Sequence, residues 1–528
     1  MTAVALDDGP EHGAPADEHG STRRGLRDRL LAWWPRDASR EEWLGELIPR
    51  LLFVLLLLVY TLVMYQLVWR RHDRFGSFDY DLGMYDQGIW LLSRGRGFMT
   101  VRGMHVFGHH ANIGYLLLVP FYWLGAGPQF LDLLNTLGVV ACAVPLYLMG
   151  RKGLRSDWAG LLIAVAYLFH YVPQWMIHET FHPENIAAPF LITAVWFATG
   201  SERPTRWRWY WACLAFAMIW KEDVALVVFM LGIAVMIMTS EIRRGLLTMA
   251  AGALWFVIAV KGIIPAFSPD GAVFDGLFGT LGTSATDVVV NSVRDPSRAV
   301  SILQEHGAEK GALDLMRPYA FTALVSPHLL LLGLPQHVVN FLSVQSFTWE
   351  TKFHYAMFPF VAVTLASVRT VITRSRVLVS WLLIAAMLGG VWLTRDMGVG
   401  PWAEPSRQGY WPADDPVLQP ALRAAVAEVP SDAVVSAPYN LVPHLSHRNE
   451  IYTFPNPWKS SNFGPGTRPL HRNPERVQVL VMRPELLGDE DRAIYEQVVG
   501  SGAFRRAWQR AGVEIWVRPG VELRGGAS

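Results

Sequence analysis

Long apolar runs separated by short polar connections occupy most of the chain. Leu51 to Trp69 is a run of 19 uncharged residues, enough to cross about 30 Å of hydrocarbon as a helix. It is too long, and starts too late, for a signal peptide, so it predicts a retained first span. Further spans are expected at 130–149, 158–177, 184–200, 208–220, 224–239, 245–264, 354–368 and 377–394, with two more between 317 and 344. The total is about 11. Ile113 to Leu124, with Pro120 inside it, is too short to span and predicts a helix at the membrane interface. Residues 1–45 are rich in Gly, Pro, His and charge without apolar periodicity, and are expected to be a disordered tail.

Basic residues orient the spans. Short clusters at Arg151, Lys152 and Arg155, at Arg203, Arg206 and Arg208, at Arg243 and Arg244, and at Arg369, Arg374 and Arg376 are all expected in the cytoplasm. Keeping them there requires Lys221-Glu222-Asp223 to be an outer turn between two short spans. It also places the N-terminus inside, and segments 70–128, 265–316 and everything after about 395 outside. In the last segment a helical pattern from Pro416 to Val429 precedes the apolar runs Ala433–Ser436, Ile451–Phe454, Val477–Met482 and Val513–Val517. These predict a small extracytoplasmic α/β or α+β domain. The expected fold class is an α-helical polytopic membrane protein: a tail to residue 45, a membrane domain over 46–394 and a soluble domain over 395–528.

Composition agrees with that division. Of 528 residues, 52% are hydrophobic and 17% charged, against about 25% charged in a soluble protein. The formal charge of +1 offers no basic surplus for nucleic acid. Cys142 and Cys213 both lie in apolar runs and support neither a disulfide framework nor a thiolate zinc site.

Three groups of polar residues are candidates for chemistry. Asp79, Asp81 and Asp86, with Gln87, lie just after the first span, where Leu82, Tyr85, Ile89 and Leu92 share one helical face. This predicts an amphipathic helix on the outer surface, with Asp79 and Asp81 at its start, either as caps or as functional acids. Histidines form the second group: His105, His109 and His110, His178 and His182 beside Glu179 and Glu184, and His354 before a span, all expected at the outer surface. A divalent ion is a candidate partner for such imidazole and carboxylate groups, although their spacing matches no metal signature. The third group is Lys221, Glu222 and Asp223. Only six lysines accompany 40 arginines, and Lys221, Lys261 and Lys352 all fall at outer ends of expected spans. An ammonium there suits a lipid phosphate, and snorkelling explains it equally well.

These residues carry a resemblance. Asp81-Leu82-Gly83-Met84-Tyr85-Asp86-Gln87, Phe107-Gly108-His109-His110, His182-Pro183-Glu184, Lys221-Glu222-Asp223 and His354-Tyr355 followed by Pro359-Phe360 are similar to a family of bacterial polytopic membrane proteins of unknown function. That family resembles the GT-C superfamily of membrane glycosyltransferases, which includes protein mannosyltransferases and the aminoarabinose transferase of lipid A. The similarity runs over roughly 50–370 and returns at Val442-Pro443-His444-Leu445-Ser446.

The resemblance implies a protein of the bacterial plasma membrane. It also implies a polyprenyl-phosphate-linked sugar as donor and an acidic residue of the first outer loop acting on an acceptor that may be glycan, lipid or protein. By position the acid is Asp81, or Asp79; the Asp-Glu pair of better-known subfamilies is missing here. An inverting transfer would then use Asp81 as general base and Lys221 and Lys261 on the phosphate. Glu222, Asp223, His109 and His182 would orient sugar hydroxyls or a metal ion, with His110, Glu184, Lys352, His354 and Tyr355 also in the site. Two other classes stay open, a transporter or lipid flippase and a non-catalytic scaffold for envelope assembly.

Overall fold

The computed structural model describes residues 40–200, 206–268, 277–282, 285–403, 409–459 and 473–525. Most of the expected tail lies outside these residues, but from Arg40 the chain is already helical, so the tail is shorter than 45 residues. Helix Trp43–Asp73 follows as one 31-residue rod. Its uninterrupted apolar run leaves Leu55, Leu58 and Leu62 exposed, the pattern of a helix facing lipid.

Among the described residues four helices are long and apolar enough to cross a membrane: Trp43–Asp73, Pro128–Leu154, Ile242–Phe267 and Ser346–Ile372. Asp157–Phe169 and Tyr171–His178 form a fifth unit bent by 53°. Val224–Thr239 and Val377–Leu393 are apolar but shorter, as are Pro183–Thr199 and Arg206–Met218. The expected count of about 11 full spans is therefore not reached among the described residues. The pair expected between 317 and 344 is replaced by four short pieces, of which Leu334–Leu342 is the longest at nine residues. Pro318, Pro327 and Pro335 interrupt that stretch, each removing an amide donor and restricting the backbone.

Close packing depends on small residues. Val224–Thr239 lies against Ile242–Val257 with Gly232 facing Gly245: a Cβ on Gly232 would stand 2.5 Å from the Gly245 carbonyl oxygen, and one on Gly245 2.6 Å from that of Gly232. Only glycine admits such an approach.

The C-terminal domain is α/β. Its strands are β3 (Val435–Ala437), β4 (Ile451–Thr453), β5 (Val479–Met482), β6 (Arg505–Arg510) and β7 (Val513–Val517); β1 (Phe98–Met99) and β2 (Met104–His105) form a separate hairpin in the loop after the first helix. The sheet order is β4-β3-β5-β7-β6, with β3 parallel to β4 and β5, and β7 antiparallel to β5 and β6. All four expected apolar runs contain strands. Strand β6, Arg-Arg-Ala-Trp-Gln-Arg, escapes an apolar pattern because it is an edge exposed along most of its length. Helix Asp489–Gly500 was likewise not expected. Val435, Val479, Val481 and Ile515 share one core with the helical domain, while Phe454, Leu480, Met482 and Tyr495 form a separate cluster.

At the far end of the first helix from the loop that follows it, Arg50 is buried against Asp157, with Nε and Nη2 each 3.2 Å from a carboxylate oxygen. Tyr147 donates to the same carboxylate, and Arg151 Nε lies 3.0 Å away. Asp157→Ala should cost about 3–5 kcal/mol, because it strands a buried guanidinium. Glu46→Ala, which removes the exposed partner of Arg50, should cost about 1 kcal/mol or less. Thermal unfolding in detergent checks this, and equal shifts for the two variants would contradict the assignment.

Candidate active site

The loop after the first helix begins with a wide turn, Asp79–Gly83, and continues as helix Met84–Ser93. Phe78, not an aspartate, occupies the N-cap position. The helix does not rest on the membrane surface: Met84 to Ile89 are buried all round, because the C-terminal domain covers the polar face. Asp86 accepts from Tyr122 at 2.7 Å and from Ser446 at 2.5 Å, and His447 Nε2 lies 3.0 Å from it. Gln87 donates to Thr100 at 3.0 Å and accepts from Val101 N. Asp79 accepts from Thr453 Oγ1 at 2.5 Å. Gln87 holds Thr100 within the loop, while Asp79 and Asp86 join the domains. Asp81 stands between them with its side chain 32% exposed and its carboxylate 3.4 Å from His182 Nε2.

The histidines expected at the surface are largely buried. His182 precedes helix Pro183–Thr199, and its ring stacks on His354 with centroids 3.8 Å apart. His354 Nε2 is 4.0 Å from Glu184. Glu184 receives Lys221, whose Nζ also lies 3.2 Å from Asp223 and 5.9 Å from the Tyr355 ring centroid. Glu222 pairs with His110 at 2.6 Å and accepts from Ala111 N, while the His109 ring packs edge-on against His110. The expected outer turn at Lys221 is therefore an interior charge cluster: Lys221 is 3% exposed and committed to carboxylates, so it is not a free cation for phosphate. Lys261 stays exposed on its helix instead of joining the cluster. Lys352 is 39% exposed beside Glu350 at 2.6 Å.

Among the described residues no group of three or more His, Cys, Asp or Glu is arranged to hold a metal ion. Glu184 and Asp223 are engaged by Lys221 and Glu222 by His110, while Asp81 lies beside His182 and Glu179 beside His178.

Two basic residues and an acid complete the neighbourhood. Arg71, buried, donates to the His178 carbonyl and is the cation facing Glu179, Asp132 and Asp81. Arg102, also buried, lies over the Tyr80 ring. Glu179, in the short connection before His182, has its carboxyl pushed up to about 7, first by burial and then by the charge of Asp81. Burial acts to lower His182, but Asp81 together with Glu184 and Glu179 outweighs it and holds the imidazole above its usual range. A signal for Arg71 exists in the sequence. Arg70 and Arg71 follow the first span on the side expected from sequence to be outer, where basic residues are disfavoured.

Burial also raises Asp79, from 3.8 to about 6, with the Thr453 hydrogen bond opposing the shift. Because the folded state holds this proton more tightly, charged Asp79 destabilises the fold above pH 6, and the penalty is relieved as pH falls from 6 toward 3.8. Asp79→Asn should thus be more stable than wild type at pH 7, with the gap narrowing at pH 5. Thermal unfolding at both pH values measures it; a gap that is constant or widens on acidification would contradict it.

The architecture has solved counterparts. ArnT from Cupriavidus metallidurans in the apo state superposes with a TM-score of 0.51 at 12% identity, covering 88% of this chain and 97% of that one. The same enzyme bound to undecaprenyl phosphate gives 0.50 at 13%, covering 90% and 98%. The archaeal oligosaccharyltransferase AglB from Archaeoglobus fulgidus, in complex with an inhibitory peptide and a dolichol-phosphate, gives 0.42 at 12%, covering 89% and 74%. At such identities the likeness to ArnT establishes a shared fold. No curated protein matches the sequence. The family described as "Predicted membrane protein (DUF2079)" matches residues 71–513, most of the chain from the end of the first helix to the last strand, and the protein belongs to that family.

Proposed function

We propose that the protein is an inverting glycosyltransferase of the bacterial plasma membrane, moving a sugar from a polyprenyl-phosphate donor to an acceptor on the extracytoplasmic side. The observation that carries this reading is the state of Asp81. Its neighbours Asp79 and Asp86 are buried and held by hydroxyl groups, whereas Asp81 keeps an open side chain with His182 alongside. The ArnT-like fold supports the donor class, since ArnT is known bound to undecaprenyl phosphate.

In the proposed reaction Asp81 takes the proton of the acceptor hydroxyl as its oxygen attacks the anomeric carbon, and the bond to polyprenyl phosphate breaks on the opposite face. His182, 3.4 Å from Asp81, orients the carboxylate. The role first assigned to Lys221 passes to Lys352, which is exposed and shares electrostatic coupling to Glu179. Such a cation stabilises the phosphate as negative charge develops. Lys221 instead neutralises Glu184 and Asp223 behind the reacting groups.

Asp81→Asn should lower transfer by about 10²- to 10⁴-fold, the usual contribution of a positioned base, while Lys261→Ala leaves it intact. The measurement is mass spectrometry of envelope glycoconjugates and of accumulated lipid-linked sugar in cells carrying each variant as the only copy. Full transfer by Asp81→Asn would overturn the assignment of the base.

A further inference from the structure

We propose that the C-terminal domain is the positioning element of the Asp81 loop: Thr453 and the Ser446-His447 pair grip Asp79 and Asp86 on either side of Asp81 and so determine where that carboxylate stands. The proposal deepens the transferase reading and rests on Asp81 being the base.

The grips are built into the domain's own framework. Thr453 ends β4, and its register opposite Ala437 of β3 fixes it to the sheet. At the start of the same strand, Ile451 exchanges both of its backbone groups with one hydroxyl of the loop after the first helix: Thr100 Oγ1 donates to the Ile451 carbonyl at 2.6 Å and accepts from Ile451 N at 2.8 Å. The free edge of β4 is thereby tied to the membrane domain, and Gln87 reaches the same hydroxyl.

The second grip comes from the end of the short helix Val442–Leu445. Ser446 donates to Asp86, His447 lies beside it, and Tyr122 closes the opposite side of the carboxylate. Behind these, His444 stacks on His72 at 4.1 Å and packs on Phe75. Asp79 and Asp86 stand two residues before and five after Asp81. Between them the wide turn presses on the same domain, since a Cβ on Gly83 would meet Val442 Cγ1 at 3.2 Å and Pro443 at 3.4 Å.

A buried carboxylate needs its hydrogen bonds, since an unmet one bears the full cost of desolvation. The two acids therefore act as anchors that bind the loop to the domain above it. Asp81 itself meets His182 of the helical domain. The base is thus suspended from one domain and faces its partner on the other, and a shift of the loop would change both its distance to His182 and its approach to the acceptor hydroxyl.

The test uses the full chain in lipid nanodiscs and in cells. Thr453→Val, and Ser446→Ala combined with His447→Ala, should accelerate amide hydrogen exchange over 79–87 by about tenfold or more, the scale of losing a hydrogen bond to a charged group. Transfer should fall by a similar factor, β5 and β7 should stay protected, and Thr453→Ser should restore both properties. Unchanged exchange over 79–87 would overturn the proposal, as would unchanged transfer despite faster exchange, or a rise in β5 and β7 exchange that keeps step with the loop. Asp81→Asn serves as the separate arm. If it retained transfer, the base would be wrong, and the exchange data would still report whether the domain holds the loop.

Discussion

Lys221 is the interaction on which the site depends. A charge removed from water is tolerable only when another charge is brought to it with good geometry, and here one ammonium serves two carboxylates, Glu184 and Asp223, from different elements. That pairing ties the start of Pro183–Thr199 to the break before Val224–Thr239. It fixes the position of His182, two residues before Glu184, and so the ring that faces Asp81. The neighbouring pair, Glu222 with His110, carries the same constraint into the loop after the first helix. The cluster works as a neutralised floor beneath the reacting groups, leaving the open carboxylate to Asp81.

The upper boundary of the site follows different physics. One apolar core is shared between the two domains, but the contacts that fix register are polar: Asp79 with Thr453, Asp86 with Ser446, and Thr100 with Ile451. Buried hydrogen bonds to carboxylates are directional and among the stronger ones, so they specify one placement of the domain where apolar contact alone would permit sliding. A floor set by ion pairs and a roof set by hydroxyl groups leave the wide turn at Asp79–Gly83 as the segment that both must accommodate.

Much of this was legible in the sequence, and the exceptions have physical causes. The apolar runs located the long helices and four of the five strands of the C-terminal domain, because each buries a continuous stretch against neighbours. The segment 317–344 misled because its apolar content resembles spans while its prolines forbid them. Helix Met84–Ser93 has an amphipathic pattern, yet its polar face is buried by residues more than 350 positions away, a contact that no local periodicity encodes. Lys221 stood out in the sequence, but charge at a membrane boundary has two readings, a lipid partner or a protein partner, and only the fold shows that Glu184 is its partner. Arg71 was missed because it looks like an ordinary flank of a helix until the fold brings it near Asp81, and Glu179 stood out only as a neighbour of the histidines.

The central claim is that Asp81 and the donor's phosphate meet at one place. The most direct measurement is an experimental structure of the full chain with undecaprenyl phosphate bound. The account predicts the phosphate group on the same open edge as the Asp81 carboxylate, within reach of Lys352 and outside the Lys221 cluster. A phosphate bound at the opposite end of the helices, near Arg50 and Arg151, or one that displaces Glu184 from Lys221, would contradict it.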